Sequence, residues 1–145
     1  MTEHPTTQWV TQQFREAFSF EHDFKYMIHD RDSIFSAMKN ILPGFGIKSV
    51  RTSYKSPWQN GIAERFVLTA KTEMTNNIIV FNQRHLQKCM KKYVDYYNDD
   101  RCHLAIGRDS PNGREIQKKP DEKAEVVAIP KLGGLQHRYE WKKAA

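Results

Sequence analysis

A turn around Pro57 that leads into a helix carrying an acid constrains the central part of this chain. Residues 56–65 read Ser-Pro-Trp-Gln-Asn-Gly-Ile-Ala-Glu-Arg. Because proline lacks an N–H group and disfavours helical geometry in the residue before it, the chain turns at Ser56 and a helix begins only afterwards. We expect this helix to run to about Asn76, with its acid, Glu64, one turn inside it.

The apolar residues of this helix recur at helical spacing and indicate its buried side. They are Ile62, Phe66, Val67 and Ala70. Glu64 is offset from this stripe, so we expect its carboxylate at the rim of the core. A carboxylate in that position would be shielded on one side and open to a substrate on the other, as suits a metal ligand.

A second acid, Asp30, follows a short apolar segment. Residues 24–28 read Phe-Lys-Tyr-Met-Ile and predict a buried strand that ends just before it. A helix capped by Asp32 or Ser33 and a second strand at 47–51 come next. Strand, helix and strand in this order predict a parallel crossover and an α/β fold. For Asp32 we favour the role of helix cap over that of a further acid at the site.

Carboxylates on two separate elements are suitable ligands for a hard divalent cation. Mg²⁺ binds a few carboxylate oxygens and completes its shell with phosphate oxygens and water. Asp30 at a strand end and Glu64 on a helix are carboxylates of that kind.

The surroundings of both acids resemble the catalytic core of integrases and transposases with an Asp-Asp-Glu triad, a family that includes retroviral integrases and bacterial insertion-sequence transposases. The second acid of that family follows a strand in a His-Asp element, as Asp30 does, and the third lies in a Ser-Pro-x-x-Asn-Gly-x-x-Glu helix start, as Glu64 does. The resemblance covers residues 5–116. It includes the later elements Tyr96-Tyr97-Asn98, Arg101-Cys102-His103-Leu104, Gly107 and Pro111.

This resemblance implies a ribonuclease H-like fold and DNA transposition or integration by metal-dependent phosphoryl transfer. Asp30 and Glu64 would be catalytic and would hold two Mg²⁺ or Mn²⁺ ions together with the family's first Asp. The partners implied are the transposon ends and target DNA, and a homo-oligomer that brings two DNA ends together. Residues expected near the DNA are Gln59, Asn60, Arg65 and Lys71. A solvated helix face is the equal alternative for the last two.

The chain also departs from the family pattern. The first Asp lies on an opening strand well before the helix that is predicted here from Thr6, and no matching residue precedes that helix. We therefore expect residues 1–116 to be the C-terminal two-thirds of an integrase core that lacks the first strands of its sheet. Residues 117–145 would be a basic extension with a small hairpin at 125–129 and 136–141. Such a chain would resemble a polynucleotidyl transferase and be inactive alone.

Two other function classes remain open. A non-catalytic DNA-binding or subunit-pairing module would use the basic surface and the apolar stripe of the helix that follows Asn82. A helix-turn-helix regulator would use the same charge, but Glu64 would then face phosphates unfavourably.

Composition indicates the kind of partner and the cellular compartment that suit this protein. A net charge of +6 and a pI near 9.3 suit a polyanionic partner. Cys89 and Cys102 stand apart and are expected to be reduced thiols of a cytoplasmic protein. No apolar stretch of membrane-spanning length is present, so we expect no membrane association.

Overall fold

The computed structural model describes residues 2–18 and 22–143. It divides into two compact units, residues 1–68 and 69–145. The described chain mixes helices with two small two-stranded sheets and is therefore α/β, as expected. No helix in the described part is both long and apolar enough to cross a membrane.

The first unit opens with helix α1, Thr7–Ala17. Thr6 caps it, since the Thr6 side chain accepts a hydrogen bond from the N–H of Trp9 at 3.2 Å. Phe14 on this helix is buried and packs in a small core with Met38, Leu42 and Ile47. These four side chains form the buried cluster of the first unit.

Two parallel strands form the first sheet, β1 at Tyr26–His29 and β2 at Lys48–Arg51. Their register pairs Tyr26 with Lys48 and His29 with Arg51, so the predicted parallel crossover is confirmed. The expectation that the first strand is buried is wrong for most of its length. Tyr26 is 62% exposed and Ile28 51% exposed, because a sheet of two strands is not covered on both faces by the elements described.

The connection between the strands is less regular than the single helix that was predicted. It consists of a 3₁₀ turn at Ser33–Phe35, a short helix α2 at Met38–Ile41 and a second 3₁₀ turn at Leu42–Phe45. Asp32 accepts the N–H of Ile34 and the first turn closes with i to i+3 bonds, which favours the tighter geometry.

Helix α3 spans Gly61–Glu73 and follows a 3₁₀ turn at Pro57–Asn60. The start of this helix agrees with the prediction, but its buried side does not. Of the four residues expected to be buried, Ala70 is buried and Phe66 half-buried, whereas Ile62 is 92% and Val67 64% exposed. Helical spacing identifies an apolar stripe, but burial also requires a neighbouring element to cover it.

The second unit contains helix α4, Gln83–Asp99, and an antiparallel hairpin of β3, Glu125–Lys131, and β4, Gln136–Lys142. Asn82 caps α4 by accepting the N–H of His85 at 2.8 Å. The expected strand pairing near the C-terminus is present. Asp100 ties the end of α4 to the hairpin, since its buried carboxylate lies 3.0 Å from Lys131 Nζ and 3.3 Å from Arg138 Nη1.

Candidate active site

Asp30 lies at the carboxyl end of β1 and is exposed. Its Oδ1 accepts a hydrogen bond from the N–H of Asp32 at 3.0 Å. This bond fixes the side chain in a tight turn and uses one of the two carboxylate oxygens. A ligand at a strand end needs such a fixed and accessible carboxylate, and Asp30 has both properties.

His29, the residue before it, is buried and holds the backbone of this turn. Its Nδ1 lies 2.8 Å from the carbonyl oxygen of Asp30 and its Nε2 lies 2.9 Å from Ser49 Oγ. A carbonyl oxygen only accepts, so Nδ1 carries the proton of this bond. In the neutral ring, Nε2 then accepts the hydroxyl proton of Ser49. His29 therefore connects the Asp30 turn to β2.

Asp32 caps the 3₁₀ turn that follows. Its Oδ1 accepts the N–H of Ile34 at 3.0 Å. The favoured assignment of Asp32 as a cap is thus confirmed.

A second set of bonds connects the Asp30 turn to the loop after β2. Arg31 Nε donates to the carbonyl oxygen of Thr52 at 2.9 Å, and the N–H of Thr52 donates to the carbonyl oxygen of His29 at 2.9 Å. Thr52 is buried, which protects these bonds from competing water. The loop at residues 52–53 is consequently fixed with respect to the turn that presents Asp30.

Gln59 extends this path to the helix that carries Glu64. Its Oε1 accepts the N–H of Ser53 at 2.6 Å, and its Nε2 donates to Ser53 Oγ at 3.3 Å. Both ends of the Gln59 amide are therefore engaged within the chain, although the residue was predicted as a DNA contact. The DNA role stays a prediction, and the observed contacts assign Gln59 a positioning role.

Glu64 lies in the first turn of α3 and is exposed. A carboxylate in a first helical turn interacts favourably with the partial positive charge of the helix N-terminus. The expected place at the rim of a core is wrong, because neighbouring Ile62 is almost fully exposed. Glu64 is instead open to solvent.

The predicted DNA-contacting residues of α3 and its preceding turn are accessible to different degrees. Arg65 and Lys71 are exposed, and Asn60 is half-buried at the end of the 3₁₀ turn. Arg65 has a further interaction within the protein. Nothing in these positions distinguishes a DNA contact from a solvated helix face, so both roles remain predictions.

The residues present do not fit a two-metal centre by themselves. Residues 2–18 and 22–143 contain no group of three or more His, Cys, Asp or Glu side chains that could hold a metal ion. Asp30 and Glu64 have suitable oxygen ligands, but two carboxylates are too few to hold two ions close together against their mutual repulsion.

The second unit contains an ion pair between Arg101 and Glu73. Arg101 forms a bidentate pair with Glu73, with Nη2 2.6 Å from Oε1 and Nε 2.9 Å from Oε2. Tyr93 also donates its hydroxyl proton to Glu73 Oε2 at 3.0 Å. Burial alone would raise the pKa of Glu73, but the bonds from Arg101 and Tyr93 lower it below its ordinary value. These bonds give Arg101 a structural role.

Sequence reasoning did not find the residues that brace Asp30, apart from His29 in the His-Asp element. Ser49 bonds through its hydroxyl, Arg31 through its side-chain Nε to a backbone carbonyl, and Thr52 through its backbone. Their sequence carries no signal for this role, because the parallel pairing of β1 with β2 brings them together.

Residues 45–111 match the family model of the integrase core domain. This part of the chain is similar to an integrase core domain. The matched integrase segment includes Glu64 with its helix start, α4 and Arg101, whereas Asp30 lies before it. No curated protein and no solved structure is similar enough to this chain to count as a match.

Proposed function

We propose that this protein acts in DNA transposition or integration and contributes two carboxylates, Asp30 and Glu64, to a phosphoryl-transfer site. The observation that carries this proposal is the integrase core match at residues 45–111, which contains the Glu64 helix start. The DNA would include the ends of a mobile element and a target. We also propose the ribonuclease H-like sheet of this family for this chain.

Asp30 lies outside the matched segment, and its inclusion in the proposed site is supported by its position in the sheet. It stands at the carboxyl end of β1, and β1 pairs in parallel with β2, which lies inside the segment. The hydrogen-bonded path through Thr52, Ser53 and Gln59 then leads to the helix of Glu64. This path supports a common task for the two acids.

A divalent cation, Mg²⁺ or Mn²⁺, would be held by Asp30 and Glu64 with a third carboxylate from outside the described residues. When bound, such a cation supplies Lewis-acid stabilisation of the charge on a phosphodiester in reaction. With two carboxylates alone, we expect weak metal affinity and little or no strand transfer by the 145-residue chain. We also propose that copies of this chain associate and bring two DNA ends together.

Metal binding tests the assignment of the two acids. In a Mn²⁺ titration monitored by the electron paramagnetic resonance signal of free Mn²⁺, we expect the wild type to bind weakly. Asp30→Asn and Glu64→Gln should each lower the Mn²⁺ affinity at least fivefold. Asp23→Asn is the matched control, since Asp23 is exposed and precedes β1. Equal Mn²⁺ affinity in the wild type and both variants would remove Asp30 and Glu64 from the proposal.

A non-catalytic DNA-binding module is the second candidate, favoured by the position of the charge. Residues 69–145 contain 15 of the 23 Lys and Arg residues and 10 of the 17 Asp and Glu residues, so the basic surplus lies mainly outside the unit that holds the two acids. A strand-transfer assay with an Asp-bearing integrase segment added as a separate chain separates the candidates. Activity that Glu64→Gln abolishes supports the enzyme, and DNA binding without activity supports the module.

A further inference from the structure

Helix α4 has a basic face formed by three cationic side chains. Arg84, Lys88 and Lys91 are exposed and recur at intervals of four and three residues. That spacing places them on one side of the helix. Tyr93, the buried residue of α4, and the neighbouring apolar residues Leu86 and Cys89 lie on other faces.

These cations have no acidic partner within the described part of the chain. None of Arg84, Lys88 and Lys91 takes part in an ion pair there. Two acids of this helix share their side, Asp95, four residues beyond Lys91, and Asp99 at the last position of the helix. Neither acid forms an ion pair with the three cations in the described chain.

The arrangement of these three cations lowers the stability of the helix itself. Arg84 and Lys88 are four residues apart, and Lys88 and Lys91 are three apart, so both pairs bring like charges together and disfavour the helix slightly. Acids alternating with bases at this spacing would stabilise the helix better than three cations do. A polyanion bound along the face would remove this repulsion.

We propose that the Arg84–Lys88–Lys91 face of α4 binds the phosphate backbone of duplex DNA. The three side chains extend over about 10 Å along the helix axis, and duplex DNA of that length carries about six phosphate charges. The contact is to backbone phosphates and is sequence-independent. It deepens the proposed function, on which its choice of DNA rests, by adding a DNA surface in the second unit.

Fluorescence anisotropy of a labelled 20-base-pair duplex tests this face, with the full chain in EDTA from about 50 to 200 mM KCl. The test variant is Arg84→Gln/Lys88→Gln/Lys91→Gln. The control, Lys118→Gln/Lys119→Gln/Lys123→Gln, removes three positive charges from an exposed segment before β3. Both variants have the same net charge, so a difference between them reports position and not total charge.

We expect the α4 variant to lose at least tenfold in affinity near 100 mM KCl and to lower the slope of log K against log salt by about three. The control should change affinity less than threefold. Equal losses in the two variants, an unchanged slope in the α4 variant, or no duplex binding by the wild type would overturn the proposal. Tighter binding of anionic lipid vesicles than of the duplex would also overturn it.

Two further measurements separate a loss of DNA binding at this face from unfolding and from failure of the metal site. Glutamine has a helix propensity close to that of Lys and Arg, so the α4 variant should unfold at the wild-type temperature or slightly above it. A lower unfolding temperature together with lost binding would count against a surface role and overturn the proposal. Asp30→Asn and Glu64→Gln each remove a negative charge and should bind the duplex in EDTA at least as tightly as the wild type, so failure of the metal site and failure of this face give different results.

Discussion

At the scale of single residues, the amide of Gln59 determines how the Glu64 helix is attached to the rest of its unit. It accepts the N–H of Ser53 and donates to the Ser53 hydroxyl. Ser53 follows Thr52, which is bonded to both Arg31 and His29. One side chain therefore connects the turn before α3 with the turn that presents Asp30.

Gln59→Leu should loosen this connection, because leucine has the size of glutamine but no hydrogen-bonding group. We expect the backbone amides of Ser53 and Thr52 to exchange with solvent roughly fivefold faster, corresponding to about 1 kcal/mol for a lost hydrogen bond. Hydrogen exchange followed by NMR measures this, with the amide of Ile47, bonded to Leu42, as internal control.

Gln59→Glu is the rescue variant. A carboxylate still accepts the Ser53 N–H and can accept the Ser53 hydroxyl proton, so wild-type exchange should return. If Gln59 served only as a DNA contact, Gln59→Leu would leave exchange unchanged and weaken duplex binding in EDTA. That result would argue against the positioning role.

At the scale of elements, the Glu73–Arg101 pair connects the end of α3 with the segment after α4. Its three short contacts with Arg101 and the bond from Tyr93 stabilise the ionised form of Glu73. The pKa of Glu73 is therefore lower in the folded than in the unfolded chain. Burial and the same bond raise the pKa of Tyr93.

Folding stability should then depend on pH in a defined direction. A carboxyl with a lowered folded pKa adds stability above its unfolded pKa, near 4.5, and loses it as the pH falls through the folded value. We expect Glu73→Gln to lower the free energy of unfolding by about 1–2 kcal/mol at pH 7. The difference from the wild type should shrink below pH 4.5.

Urea unfolding of the wild type and Glu73→Gln between pH 3 and 7 measures this dependence. Glu16→Gln on α1 is the control, since exposed Glu16 bonds only to glutamine side chains in the hydrogen bonds described. A constant difference between wild type and Glu73→Gln across this range would show that charge on Glu73 is not what stabilises the pair.

At the scale of the whole molecule, the two-stranded sheet of the first unit leaves apolar side chains exposed. Ile28 and Tyr26 on β1 and Val50 on β2 are exposed next to one another in register. Exposed apolar strands favour aggregation. We expect Ile28→Lys to raise the protein concentration that stays soluble after centrifugation by at least twofold.

Ile106→Lys is the matched control, because Ile106 is 48% exposed against 51% for Ile28 but lies outside both sheets. Both replacements add one positive charge. Equal gains in solubility would assign the effect to charge, and no gain for Ile28→Lys would show that β1 does not limit solubility.

Several features of the site followed from sequence because they depend on local chemistry. Pro57 stops one element and permits the next, so the start of α3 was predictable. Asp32 can cap the turn that follows it whatever the tertiary surroundings of that turn are. The short apolar runs around 24–28 and 47–51, with a helical segment between them, indicate a parallel pair of strands. The integrase core match covers the Glu64 helix start and the segment after α4, where the motif residues lie, and the role of Glu64 stays a prediction.

Sequence by itself determined the order of elements, the caps and the integrase core motif, because each depends on residues close together along the chain. Only the tertiary structure decided that Ile62 and Ile28 are exposed, since burial depends on which elements lie opposite. It also decided that Gln59 bonds to Ser53 and that Glu73 pairs with Arg101, 28 residues away. Partners distant in sequence are selected by packing, which no local pattern records.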